Sequence, residues 1–189
     1  MCVICVKSAG HALPTKALLR AMYNHNQDGC GFVSKSLSYH SMDFEDFYSV
    51  LQKVPKKEAC IIHFRWATHG SVNISNCHPF HDDDTGVWFA HNGVLPIRPK
   101  KDMTDSETAF RNVLIPVIKR YGYMSDKLSA TACRIIGGSR FAFMKDGRVR
   151  LFGQFYKYGG CLYSNLRFLP WQDEVALMHR NAPRQWRTA

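Results

Sequence analysis

The sequence predicts an α+β fold with mainly antiparallel sheets. Three observations lead there. Six or more short apolar runs bounded by turn residues read as strands, against two or three stretches with helical spacing. Several of those strands follow one another with no helix between them, which a doubly wound parallel sheet does not allow. The 189 residues, 46% hydrophobic and 21% charged, suit a globular chain with one substantial core.

Residues 2–6 form a short apolar strand at the very N-terminus. Residues 14–24 carry Ala17, Leu18, Ala21 and Met22 at helical spacing. Asn24 to Gly29 is turn composition, followed by a short strand at Gly31-Phe32-Val33. Phe44, Phe47, Val50 and Leu51 define a second helix within 43–53, ended by Pro55. Residues 59–64 and 87–90 are compact apolar runs, read as buried strands. Thr104-Asp105-Ser106-Glu107 is a capping box, opening a helix to about Arg120 with Phe110, Val113, Leu114 and Val117 on one face. Residues 140–144 and 149–152 flank an Asp146-Gly147 hairpin turn. Cys161-Leu162-Tyr163 is one more strand. About 168–189 reads as a loose basic tail, and 1–189 as a single domain.

No apolar run approaches the ~18 residues of a membrane helix. The start lacks the basic region and the length of a signal peptide. A cytoplasmic protein with no membrane partner is expected. Seven scattered cysteines then read as buried thiols, ligands or a nucleophile, not a disulfide frame. The charge is +10. The basic residues are spread out, so a solvated basic face is favoured over a nucleic-acid site; docking of a nucleic acid stays open.

Four constellations can carry chemistry. Removal of Met1 leaves Cys2 with both a thiol, which titrates near 8.5, and an α-amine, which titrates near 7.7–8.0. The amine can take the thiol proton, so one residue supplies nucleophile and base; the bland alternative is a buried strand cysteine. His63 to Gly70 leaves a strand and enters a loop, where Arg65 offers a planar fork to a carboxylate or simply pairs with an acid. Ala90-His91-Asn92-Gly93 is first a turn, yet a side-chain amide beside a glycine N–H also makes a two-donor oxyanion hole. Asp105 complements a helix dipole or accepts an ammonium.

In this order the motifs resemble the class II glutamine amidotransferase domains of the N-terminal-nucleophile hydrolase superfamily. The likeness is strongest to the glutaminase domains of glucosamine-6-phosphate synthase and amidophosphoribosyltransferase. It rests on Cys2-Val3-Ile4, Asn26 to Gly31, Arg65-Trp66-Ala67-Thr68-His69-Gly70, Asn76-Cys77-His78-Pro79, His91-Asn92-Gly93 and Asp105-Ser106-Glu107. The resemblance implies a four-layer αββα sandwich of two antiparallel sheets. It implies that Cys2 attacks the side-chain amide of L-glutamine and forms a thioester. Asn92 and Gly93 would hold the oxyanion, Arg65 the α-carboxylate and Asp105 the α-ammonium. Trp66, Thr68 and His69 would line the pocket. No metal or organic cofactor is implied. A separate synthase or acceptor would take the ammonia.

Two other readings compete. Cys2-x-x-Cys5 with Cys77-His78-x-x-His81 has metal-like spacing, but residues 2 and 5 of a strand point to opposite faces. Alternatively the fold acts on another amide, or is an inactive scaffold that binds nucleic acid or a partner.

Overall fold

The computed structural model describes residues 1–67, 71–101 and 103–181. The elements in order are β1 (Val3–Lys7), α1 (Lys16–Asn24), β2 (Cys30–Ser34), β3 (Ser38–Ser41), α2 (Phe44–Leu51), β4 (Cys60–Phe64), β5 (Phe80–Asp82), β6 (Val87–Asn92), α3 (Asp105–Ala109), α4 (Ile115–Tyr121), α5 (Asp126–Ile136), β7 (Arg140–Lys145), β8 (Arg148–Phe152), β9 (Tyr156–Tyr158), β10 (Cys161–Tyr163) and α6 (Trp171–Asn181). The strands form two sheets, β3-β2-β4-β1-β10-β9 and β5-β6-β7-β8, and every pairing is antiparallel.

Strand alternation builds the layers. Val3 and Cys5 of β1 face α1 and α2, in a core with Leu19, Met22, Phe44 and Phe47. Ile4 and Val6 turn the other way and meet Val33, Ile61, Ala90, Ala142 and Met144 between the sheets. Ala90 pairs with Ala142, and these small side chains let the two sheets approach. On the far side, Phe89, Phe141 and Phe143 pack against Phe110, Leu114, Leu128 and Ala132 of the second helical layer. The layers therefore run helix, sheet, sheet, helix, as expected. Burial on both faces explains why β1 and β4 read as continuous apolar runs with no polar alternation.

Three local findings refine the sequence reading. The helix expected from 104 to 120 widens to π geometry over Phe110–Leu114 before α4. Pro116 lies in the first turn of α4 and cannot donate a backbone bond, so the ladder must adjust ahead of it. The capping box is half made: Thr104 Oγ1 accepts the Glu107 N–H at 3.1 Å, while the Glu107 carboxylate pairs with Arg111 at 2.7 Å. The tail expected to be loose holds a helix, α6, tied to β9 through Asn181, whose Oδ1 accepts the Lys157 N–H at 3.0 Å.

Candidate active site

The site forms where β1, β4 and β6 end on one rim. Val3 pairs with Phe64, so the register delivers Cys2 to the chain leaving β4. There the Trp66 N–H donates to Cys2 Sγ at 3.4 Å, and Sγ lies 3.5 Å from Trp66 O. Asn165, just past β10, donates from Nδ2 to Cys2 O at 2.8 Å. Cys2 is half-buried and Met1 is exposed. Burial pushes the Cys2 thiol above its ordinary value, opposed by the Trp66 N–H, the positive amino terminus and Arg65. At neutral pH the thiol is therefore protonated, and attack requires a local base.

One cleft is lined by Cys2, Arg65, Trp66, Gly93 and Asp105, together with His78 and Ser106. Arg65 is buried and its Nη1 reaches Asp28 O at 3.5 Å. Asp28 organises this segment: its Oδ2 accepts the Ala67 N–H at 2.7 Å and its own N–H donates to Arg65 O at 3.0 Å. Trp66 is 49% exposed, so it stands at the mouth. Thr68 and His69 lie outside the described residues. Asp105 sits in the first turn of α3, where Oδ1 accepts the Ser106 N–H at 2.7 Å and Oδ2 the Leu95 N–H at 2.9 Å. These bonds fix the orientation of the carboxylate at the cleft rim.

Asn92 closes β6 and Gly93 follows with φ +141. Gly93 lines the cleft. Asn92 is buried, and its Nδ2 donates to Ser164 Oγ at 2.8 Å. Sequence reasoning expects Cys2, Arg65, Trp66, Asn92, Gly93 and Asp105 in one pocket; the structure lines one cleft with Cys2, Arg65, Trp66, Gly93 and Asp105 and buries Asn92 next to Gly93. Sequence reasoning assigns no part to Asp28, Ser106, Ser164 or Asn165. The first two lie inside motifs already noted, and the last two lack a local signal beyond the strand that precedes them.

Three buried histidines adjoin the cleft, His78 and His91 in its wall and His63 behind them. His78 Nδ1 is 3.1 Å from His63 Nε2, which is 3.2 Å from His91 O; His91 Nδ1 is 2.7 Å from Ser106 Oγ. Burial drives His63 down to about 3 and His91 to about 4, and holds His78 well below its usual range. All three are neutral at pH 7. The proposed metal pairing does not converge: Cys2 lines the cleft while Cys5 lies in the core under α1 and α2, and His81 stacks on Trp88 with ring centroids 4.2 Å apart.

Two stacked antiparallel sheets between helical layers, with a cysteine leading the central strand to the rim, define the N-terminal-nucleophile hydrolase fold. A family model described as glutamine amidotransferases class-II matches residues 45–149, more than half of the chain, and the chain belongs to that family. Among curated proteins it is similar to two enzymes named glutamine–fructose-6-phosphate aminotransferase [isomerizing]. The one from Chlamydia abortus is 38% identical over 56 residues, covering 30% of this chain and 8% of that protein. The one from Methanococcus maripaludis is 46% identical over 33 residues, covering 18% and 6%. Among solved structures, glutamine phosphoribosylpyrophosphate amidotransferase from B. subtilis superposes with TM-score 0.58 at 20% identity, covering 93% of this chain and 44% of that one. A structure titled as the allosteric regulatory enzyme of purine biosynthesis gives 0.54 at 19% identity, covering 86% and 41%. The chain thus spans less than half the length of these relatives, and the structural likenesses establish the fold.

Proposed function

We propose that this chain hydrolyses the side-chain amide of L-glutamine through a Cys2 thioester and supplies ammonia to a separate acceptor. The observation that carries the reading is the convergence of Cys2, Arg65, Gly93 and Asp105 on one cleft. A cation and an anion flanking a thiol select an amino acid over a simple amide.

With Met1 removed, the Cys2 α-amine takes the thiol proton as Sγ attacks the substrate's Cδ. Burial, which raises the thiol while Met1 is in place, is what makes a base this close useful. The tetrahedral oxyanion receives the Gly93 N–H and the Asn92 amide. The C–N bond breaks as the Cys2 ammonium returns its proton to the leaving nitrogen, and ammonia departs. Water then attacks the glutamyl thioester with the same amine as base, releasing glutamate and regenerating the thiol. Arg65 holds the α-carboxylate and Asp105 the α-ammonium. Trp66 covers the mouth. None of these steps calls on a metal or organic cofactor. No described helix is long and apolar enough to cross a membrane.

The test is the intact mass of the purified protein before and after treatment with a diazo-ketone analogue of glutamine. Loss of Met1 plus one label, with no label on Cys2→Ala, is expected. Retention of Met1 with no labelling refutes the proposal.

A further inference from the structure

Ser164 makes two contacts that the proposed reaction does not yet use. It follows β10 and is fully buried. Its N–H donates to Ile4 O at 2.9 Å, continuing the β1–β10 ladder. The reciprocal bond does not go to its carbonyl. The Ile4 N–H donates instead to Ser164 Oγ at 2.8 Å. The same oxygen also receives Asn92 Nδ2 at 2.8 Å.

A hydroxyl has two lone pairs and one hydrogen. With both lone pairs occupied by N–H donors, the Ser164 hydrogen has no acceptor among the described residues. At the other end of the contact, Asn92 Oδ1 is buried and lacks a partner among the described residues. A donor without an acceptor and an acceptor without a donor therefore face one another across a single amide. A half-turn of the amide pairs these two groups and transfers the unmet bond to Nδ2, which then lacks an acceptor among the described residues. Ser164 O–H then donates to Asn92 Oδ1, the Ile4 N–H keeps its place on Oγ, and Nδ2 is released.

We propose that Ser164 is a positioning residue for the oxyanion hole: its hydroxyl holds Asn92 by Oδ1 so that Nδ2 is free to donate to the tetrahedral oxyanion. This rests on the glutaminase reading above. A second contact supports it from the other side. Asn165 Nδ2 holds Cys2 O at 2.8 Å, so adjacent residues fix the nucleophile's backbone and the oxyanion donor. Ile4, two residues after Cys2, is bonded to the same serine. A shift of Asn92 relative to Cys2 therefore has to break a bond to this dipeptide.

The experiment compares Ser164→Ala and Ser164→Cys in the full chain, the second keeping a side chain of similar size but a weak donor. Each is assayed for glutamine turnover and for affinity toward two ligands: an aldehyde analogue of glutamine, which forms a tetrahedral adduct with Cys2, and L-glutamate, which does not. The expected loss in kcat is roughly 10–100-fold for Ser164→Ala, less than complete removal of an oxyanion donor causes, and smaller for Ser164→Cys. KM and glutamate affinity stay within about twofold, while aldehyde affinity falls in parallel with kcat. On an Asn92→Ala background, Ser164→Ala costs less than about twofold more, because the group it positions is gone. Equal weakening of aldehyde and glutamate, or additive losses in the double variant, overturns the proposal. So does wild-type kcat in a folded Ser164→Cys. If the wild-type protein itself neither labels at Cys2 nor turns over glutamine, the glutaminase reading has failed, and with it the premise for Ser164.

Discussion

Gly93→Ala isolates how closely the turn after β6 is fitted. A Cβ at this position would lie 2.2 Å from Ser139 Oγ, 2.7 Å from Ser139 Cβ and 2.9 Å from Ser139 Cα. Ser139 is buried in the turn before β7, and its hydroxyl already donates to Val94 O at 3.2 Å, so it has little room to retreat. The backbone at Gly93 also has φ +141, where L-residues are strained. Overpacking costs about 1–3 kcal/mol and the backbone conformation roughly 1–2 kcal/mol more, which together lower Tm by roughly 5–15 °C for a chain of this size. Gly86→Ala is the control. It has φ +66 with open space around it, so only the backbone cost applies and Tm falls by roughly 2–6 °C. Relief of the clash must move the Gly93 N–H, and the expected loss of glutaminase kcat is on the order of 10²–10³. Thermal melts with turnover assays on the two variants decide it. If Gly93→Ala melts with Gly86→Ala, or keeps wild-type kcat, the close fit against Ser139 is refuted.

Arg65→Ala and Asp105→Ala are expected to raise the KM for glutamine by roughly 10–100-fold each, the value of a charged hydrogen bond. Labelling of Cys2 by a small neutral thiol reagent should change by no more than about threefold; parallel losses in both measurements would show that these residues do not clamp substrate. The buried histidines predict acid sensitivity. His63, His78 and His91 have folded-state values depressed below 6.5, so below that pH the unfolded chain binds protons that the folded chain refuses. Stability is full above about pH 6.5 and falls toward pH 4, with a slope on the order of 1 kcal/mol per pH unit for each histidine. Urea unfolding at pH 7, 6 and 5 reads this directly, and an unchanged midpoint would show that these rings are not held neutral.

Much of this architecture is legible in residue order because strands buried on both faces leave compact apolar runs, as at residues 2–6 and 59–64. The site is legible because its donors and charges cluster in short loop motifs at strand ends. Helix α5 carried a usable signal that the sequence reading passes over: Ser125 caps it, and Leu128, Ala132 and Ile136 recur on one face. Helix α6 offered almost none, since none of its residues is buried and no apolar stripe was needed. The neutrality of His63, His78 and His91 depends on burial between distant elements, His63 on the face of β4 that meets the second sheet and His91 between β6 and α3, which no spacing encodes. The Ser164–Asn92 contact joins residues far apart in sequence through an amide whose orientation is a matter of bond inventory.

Cys2 leads a strand that lies in the interior of its sheet, with β4 on one side and β10 on the other. Cys5 pairs with Tyr163, nearly the whole chain away. β1 is thus among the last strands to find its second neighbour, and such distant pairing is slow to form. Until β10 arrives, Asn165 cannot grip Cys2 and Ser164 cannot reach Asn92. On the glutaminase proposal, a chain lacking β10 carries Cys2 without the contacts that would position it and Asn92 for catalysis. Truncation anywhere before residue 165 should leave a cysteine that reagents can modify but that glutamine cannot engage.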